Sequence, residues 1–260
     1  MRVLSGAVLG TVFLVAVWWF PTLVLLGIAE IVLLLAFVEY SALANQLDVQ
    51  VQKVPAGVAA MLTCAAMVAP GTPVDVVLMA AFVALGAMAL GSRRPQANAL
   101  HDLAASLLPA LYLGLPLGAL VAIHARLGRT AVLLLLLTVV VSDTAQYYTG
   151  RAFGRRLLAP EISPKKTVEG ALGGVVLGTA MMVVAGYSWL PDTSPLWRAA
   201  VGFAVVIVGI AGDLFESLLK RGAGAKEASS LIPGHGGILD RIDALMFAAP
   251  VYYLFVKHGI

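Results

Sequence analysis

Charge is scarce in this chain. Only 12% of its 260 residues are Asp, Glu, Lys or Arg, while 60% are hydrophobic. The net charge of +3 arises from 17 basic and 14 acidic side chains, too few to form the dense basic surface of a nucleic-acid binder. Cysteine is nearly missing. Cys64 stands alone in an apolar run, which excludes an intrachain disulfide and reads as a small buried hydrophobe. The histidines, His101, His124, His235 and His258, are scattered, with no HExxH and no paired Cys/His spacing, which argues against a zinc site. Internal repeats, heptads and low-complexity linkers are also missing. What the chain has in abundance is long apolar runs, with a mean hydropathy of +0.95. They point to an all-α, polytopic integral membrane protein.

A bilayer core about 30 Å thick needs about 20 apolar residues of helix. By that ruler the sequence predicts about nine transmembrane helices, at roughly 3–19, 22–40, 54–70, 73–91, 100–123, 130–150, 168–190, 197–219 and 242–257. The first run has one basic residue and an apolar core, but no small-x-small cleavage site, so it reads as a retained span rather than a signal peptide. Pro21 favours a turn or kink before the second, and Trp18 and Trp19 suit an interface. A single membrane-embedded domain over 1–260 is expected. Residues 1–130 form a helical scaffold, and 131–260 form a catalytic half with cytoplasmic loops at 151–167 and 220–241.

Charge bias assigns the sides. With nine spans, 13 of the 17 Lys and Arg fall at the N-terminus and in the loops after spans two, four, six and eight. Arg126, Arg129, Arg198 and Lys257 fall opposite. The excess of positive charge expected in cytoplasmic loops places the N-terminus and both basic loops in the cytoplasm of a multi-pass inner-membrane protein.

The densest charge lies in SLLKRGAGAKEASSLIPGHGGILDRIDAL, residues 217–245. On a helix, Asp213, Glu216, Ser217 and Lys220 form one polar stripe on an otherwise apolar surface. A charge at the centre of a membrane helix costs about 2.5–3.5 kcal/mol, so protein, a wet cavity or a cation must meet these groups. An internal Glu216–Lys220 pair is the plain alternative. The following loop is glycine-rich, which lets backbone approach a ligand and expose N–H donors, and Pro233–Gly234 favours a tight turn. Asp240 and Asp243 then open the last span, where helix capping alone would also explain them. A hairpin bringing Asp213 and Asp240 together, flanked by Lys and Arg, would suit Mg²⁺ holding phosphate oxygens.

The second stretch is residues 142–174. The sixth span ends with Asp143, followed one turn later by Gln146 and Tyr147, and then by Arg151, Arg155 and Arg156. Position at the membrane face explains those arginines. Ser163 and Pro164 suggest a helix start, with Lys165 and Lys166 just inside it. Cations there oppose the macrodipole, and a bound anion would resolve the conflict.

These residues resemble the phosphatidate cytidylyltransferase (CDP-diacylglycerol synthase) family. The resemblance rests on Ser217, Lys220-Arg221, Lys226, the PGHGG turn at 233–237 and Asp240-Arg241-x-Asp243. ISPKKTVEG at 162–170 and Asp143-Thr144 add to it. It is strong over residues 142–245. The N-terminal half agrees only in hydrophobic character and at Glu39-Tyr40. Glu227 departs from the Asp usual after the signature lysine.

The resemblance implies that CTP and phosphatidate give CDP-diacylglycerol and pyrophosphate. It implies Mg²⁺, with K⁺ a candidate second cation, and a homodimer. Asp213 and Asp240 become the leading metal ligands, with Asp243 and Asp143 in support, and Asp213, Asp240 and Lys220 the catalytic set. Ser163, Lys165, Lys166, Ser217, Arg221, Lys226, His235, Gly236, Gly237 and Arg241 would hold substrate, with His235, Gly236 and Gly237 also shaping the turn. The competing class is an ion-coupled transporter, since intramembrane acids also mark ion pathways. That class expects related halves and broken helices near mid-membrane, whereas here the acids cluster at the expected cytoplasmic helix ends beside cations suited to phosphate.

Overall fold

The computed structural model describes residues 14–91, 98–231 and 236–259. His235, Pro233, Gly234, Arg93 and Arg94 lie outside the described residues, as does most of the first expected span; its end, 14–19, is helical. The chain continues as α1 (Thr22–Gln46), α2 (Lys53–Ala66), α3 (Val74–Leu90), α4 (Ala99–Pro109), a π-helical turn (Ala110–Gly114), α5 (Leu115–Leu127) and α6 (Arg129–Phe153). A hairpin of β1 (Leu157–Ala159) and β2 (Ser163–Thr167) follows, then α7 (Val168–Trp189), α8 (Pro195–Gly222) and α9 (Leu239–Gly259). The protein is an all-α membrane protein carrying one small antiparallel ribbon, in which Leu157 faces Thr167 and Ala159 faces Ser163.

Among the described residues, five helices are long and apolar enough to cross a membrane: Thr22–Gln46, Ala99–Leu127, Arg129–Phe153, Val168–Trp189 and Pro195–Gly222. The count of about nine is therefore not reached. α2 has 14 residues and α3 has 17, and at about 1.5 Å per residue both fall short of the bilayer core. Apolar composition marks these segments as membrane-like, but the chain turns at Pro70, Gly71 and Pro73 before a full span is complete.

The chain forms two compact units, Met1–Ala125 with Leu219–Arg241, and Arg126–Leu218 with Ile242–Ile260. In the first, bare backbone lets α2 approach the π turn and α5. A Cβ at Gly114 would stand 2.5 Å from the Ala60 carbonyl oxygen, and one at Gly118 would stand 2.7 Å from that of Cys64. Tyr40 donates to the Ala105 carbonyl at 2.9 Å, and the Gln50 N–H donates to Asp102 at 2.8 Å. Pro109 removes a helical N–H just before the π turn, a common cause of such irregularity.

The second unit is built on small residues. α7 buries Gly170, Gly174 and Gly178, four residues apart, against Gln146 and Ser142 of α6. This i,i+4 stripe lets membrane helices pack by dispersion, with no hydrophobic drive to help them. Gly178 also meets Val206 of α8: a Cβ there would lie 2.6 Å from Val206 Cγ2 and 3.0 Å from Ser142 Cβ. α8 in turn meets α9 at Gly212, where a Cβ would stand 2.7 Å from the Asp243 carbonyl oxygen, and Phe215 packs on Phe247 with ring centroids 5.4 Å apart.

Gly178→Leu should therefore force apart packed helices and cost about 1–3 kcal/mol or more. Thermal unfolding in detergent should register this as a lowered midpoint, whereas Leu177→Ala at the neighbouring exposed position should leave it nearly unchanged.

Candidate functional site

α6 does not stop near Asp143. It runs to Phe153, so Asp143 is exposed on a continuous helix and Arg151 belongs to its last turn. SPKKT is strand rather than helix start. Thr167 ends β2 in extended conformation and caps α7, its Oγ1 accepting from the Gly170 N–H at 3.1 Å. The expected clash of Lys165 and Lys166 with a helix dipole does not arise, because both precede the helix. The first turn of α7 instead carries Glu169, the sign the dipole favours. Glu169 was missed by the sequence reading. Its Oε2 accepts the backbone N–H groups of Arg155 at 3.0 Å and Arg156 at 3.2 Å, pinning the start of the ribbon to the start of α7.

The ribbon presents Lys166 to α8, where its ammonium forms an ion pair with Asp213. Asp143 is close enough that the charges of both Asp213 and Lys166 act on it, and Gln146 Nε2 donates to its Oδ1 at 3.0 Å. Three elements distant in sequence thus bring Asp143, Lys166 and Asp213 into one cluster. Lys165 and Pro164 are exposed, and Ser163 is half-buried. Glu216 is fully buried on α8, while Ser217 is half-buried. Asp243 lies in the first turns of α9, where its Oδ1 accepts the Ala244 N–H at 2.6 Å.

The glycine-rich loop is organised around two carboxylates of the first unit. Lys220 Nζ donates to Asp240 Oδ1 at 2.6 Å, and both side chains are almost buried, at 10% and 7% exposure. Asp240 Oδ2 accepts the N–H groups of Gly237 at 2.7 Å and Ala228 at 2.9 Å. Asp240 is therefore not an N-cap: it sits inside the first turn of α9 and reaches back to tie down both ends of the loop. The second carboxylate is Glu39, buried on α1 at 4% exposure. Its Oε1 accepts from Ser229 Oγ at 2.6 Å and the Ile238 N–H at 3.0 Å, and its Oε2 from the Leu239 N–H at 2.8 Å.

Among the described residues, those bonds give four of the loop's N–H donors to carboxylates of the protein itself. The donors at Ala228, Gly237, Ile238 and Leu239 point inward, onto Asp240 and Glu39. Gly236 is needed for its positive φ of 77°, and Gly237 because a Cβ there would fall on the Glu39 carboxylate. The cations Lys226, Arg221 and Arg241 are exposed, with Arg221 Nη1 donating to the Ala225 carbonyl at 3.1 Å. Only the Glu39-Tyr40 pair hinted at Glu39. Nothing local signals that a residue on an apolar helix meets a loop 190 positions later.

Among the described residues no group of three or more His, Cys, Asp and Glu is gathered in a metal-holding arrangement. Asp143 and Asp213 still offer hard oxygen donors in one cluster. Mg²⁺ is commonly held by one or two carboxylates, with substrate phosphates and water filling the rest of its shell. The residues present fit that pattern.

Helices of membrane length, a lysine paired with one aspartate near a second, and a loop tied by buried acids define a membrane protein that gathers charge near helix ends. Comparison with known proteins gives the family. A family model described as the cytidylyltransferase family matches residues 1–258, and the chain belongs to that family. It is 45% identical over 119 residues to the phosphatidate cytidylyltransferase of Aquifex aeolicus, covering 46% of this chain and 44% of the relative. It is 36% identical over 179 residues to that of Helicobacter pylori strain 26695, covering 69% and 64%. An uncharacterized protein of Escherichia coli K12, YnbB, is 40% identical over 131 residues, covering 50% and 44%. The chain thus spans less than two thirds of the length of these relatives.

Burial by itself would raise the pKa of Asp240. The Lys220 hydrogen bond, the N–H groups of Gly237 and Ala228, and the Lys220 charge outweigh it and hold the carboxyl below the ordinary aspartate value. The unfolded chain then binds this proton more readily than the folded one. The contribution to stability is complete above the unfolded value of about 3.9 and is lost as pH falls through the lower folded value. Acid unfolding followed in detergent should show this component, and Asp240→Asn should remove it. At neutral pH Lys220→Met, which leaves Asp240 without its cation, should cost about 3–5 kcal/mol. The double variant Lys220→Met/Asp240→Asn should recover part of that loss.

Proposed function

We propose that the chain is a phosphatidate cytidylyltransferase, forming CDP-diacylglycerol and pyrophosphate from CTP and phosphatidate at the cytoplasmic face of the membrane. The observation that carries the reading is the cluster of Asp143, Lys166 and Asp213 in a chain of the cytidylyltransferase family. The substrates, a water-soluble triphosphate and a two-tailed lipid phosphate, must meet at an interface. A phosphate oxygen of the lipid forms a bond to the α-phosphorus of CTP, the bond from that phosphorus to the bridging oxygen breaks, and pyrophosphate leaves with the electron pair. The attacking phosphate is already anionic, so no protein nucleophile or general base is required. The burden on the protein is in-line positioning and neutralisation of charge.

In this reading Lys166 and Lys220 neutralise charge next to the acids that hold them. Exposed Lys165, Lys226, Arg221 and Arg241 take phosphate oxygens, and Ser163 and Ser217 add hydroxyl donors. Asp143 and Asp213 would hold Mg²⁺, with Asp243 in support. That ion would supply charge stabilisation for the attacking and leaving oxygens. Asp240 acts chiefly through Lys220 and the loop backbone, because both of its oxygens already accept bonds from the protein. A homodimer, a second cation such as K⁺, additional shorter spans up to nine and an N-terminus in the cytoplasm belong to the same proposal. The sidedness draws support from the first unit, where Leu47, just after α1, packs against Gly222 at the end of α8 and Gln50 bonds Asp102 at the start of α4. These segments meet at one end of that unit, as loops on one membrane face must.

Purified protein should convert labelled CTP and phosphatidate to CDP-diacylglycerol, lose that activity to a chelator and regain it with Mg²⁺. Lys166→Ala and Asp213→Ala should each lower kcat/KM at least about 100-fold, the scale of losing one electrostatic stabiliser of the transition state. Full activity in Asp213→Ala would refute the cation assignment. Solute uptake by proteoliposomes without nucleotide turnover would favour a transporter.

A further inference from the structure

The N-terminal half, expected to act as scaffold, contributes a buried acid to the signature loop. We infer that Glu39 is a positioning residue for nucleotide binding: its carboxylate sets the register in which the loop offers its cations to the CTP triphosphate. The inference rests on the proposed function and adds a residue to it. Glu39 is 4% exposed on α1, and each of its bonds goes to the loop or its junction with α9, at Ser229 Oγ, the Ile238 N–H and the Leu239 N–H. No cation is needed to explain its burial, since the donors of the α9 N-terminus and a hydroxyl meet the charge.

Two features make this a device for position rather than a simple contact. First, Glu39 and Asp240 divide the loop between them. Asp240 holds Ala228 and Gly237, and Glu39 holds Ser229, Ile238 and Leu239, so both ends of the loop are fixed twice. The exposed cations Lys226 and Arg241 each stand two or three residues from these anchors. Second, the N-terminus of α9, a natural anion site, is already filled by Glu39. A substrate phosphate is thereby left to the outward-facing cations. Held in place beforehand, those cations lose less freedom when the triphosphate binds, which appears as affinity.

Glu39→Gln keeps the volume but turns one acceptor into a donor, which then faces an N–H or O–H donor. Glu39→Asp keeps the charge but shortens the reach. Ser229→Ala removes one bond and leaves the carboxylate. Each variant is to be assayed below its own unfolding temperature, with CTP and phosphatidate varied separately. Glu39→Gln should raise the KM for CTP at least tenfold while the KM for phosphatidate stays within twofold. Glu39→Asp should lie between it and wild type, and Ser229→Ala should raise the KM for CTP about threefold. Hydrogen exchange should find the Ile238 and Leu239 amides protected in wild type and faster in Glu39→Gln. A merely structural Glu39 would lower the active fraction, reducing kcat with both KM values unchanged; that result overturns the inference, as do unprotected amides in wild type. If Glu39→Gln does not fold, Ser229→Ala carries the same test. A wild-type protein that turns over no CTP overturns the function and the inference with it. Turnover with an unaltered KM in the variants overturns the inference alone.

Discussion

A buried charge left without a partner costs several kcal/mol, and a chain with so few charges has few partners to offer. Around three acids of this chain the surroundings are arranged to meet the charge. Asp240 gathers an ammonium and two backbone amides. Glu39 gathers a hydroxyl and the first amides of a helix. Asp213 gathers a lysine from a strand. Each carboxylate is thereby an organising centre for a piece of backbone that its own hydrophobicity could not hold. The apolar surroundings strengthen every such bond and penalise every loss.

Glycine serves two ends in the same molecule. Along α7 it removes side chains so that helices can close on one another. In the loop it removes them so that backbone can close on carboxylates, at Gly237 against Glu39 and at Gly236 through a left-handed turn. The consequence for function is a division of labour. Glu39 and Asp240 are turned inward with the amides they hold and fix the frame, Lys220 is buried with them, and Lys226, Arg221 and Arg241 are exposed. Among the described residues of the loop, the amides of Ala228, Gly237, Ile238 and Leu239 are already occupied by carboxylates.

Much of the site was legible because its chemistry is local in sequence. The polar stripe on α8, the basic stretch before α7 and the Asp240-Arg241-x-Asp243 run stand out against an apolar background, and each names its residue types. Their partners were not legible. Nothing in SPKKT says that it pairs with residues 157–159 as a ribbon, because ribbon formation depends on a turn and on Glu169 holding the backbone across from it. Nothing around Asp213 says that Lys166 faces it. α2 and α3 read as full-length spans in the sequence because hydropathy records composition, whereas helix length depends on where proline and glycine interrupt it.

The sequence by itself determined that this is a helical membrane protein with charge confined to a few helix ends, because apolar composition and the cost of burying charge act at every position regardless of fold. Only the tertiary structure decided which acid meets which donor. Apart from the Gly237 N–H, three positions from Asp240, those bonds join residues from 12 to 200 positions apart, and their formation depends on how helices pack. Glu39 is the clearest case: its helix is ordinary in sequence, and its role exists only because packing brings the start of α9 against it.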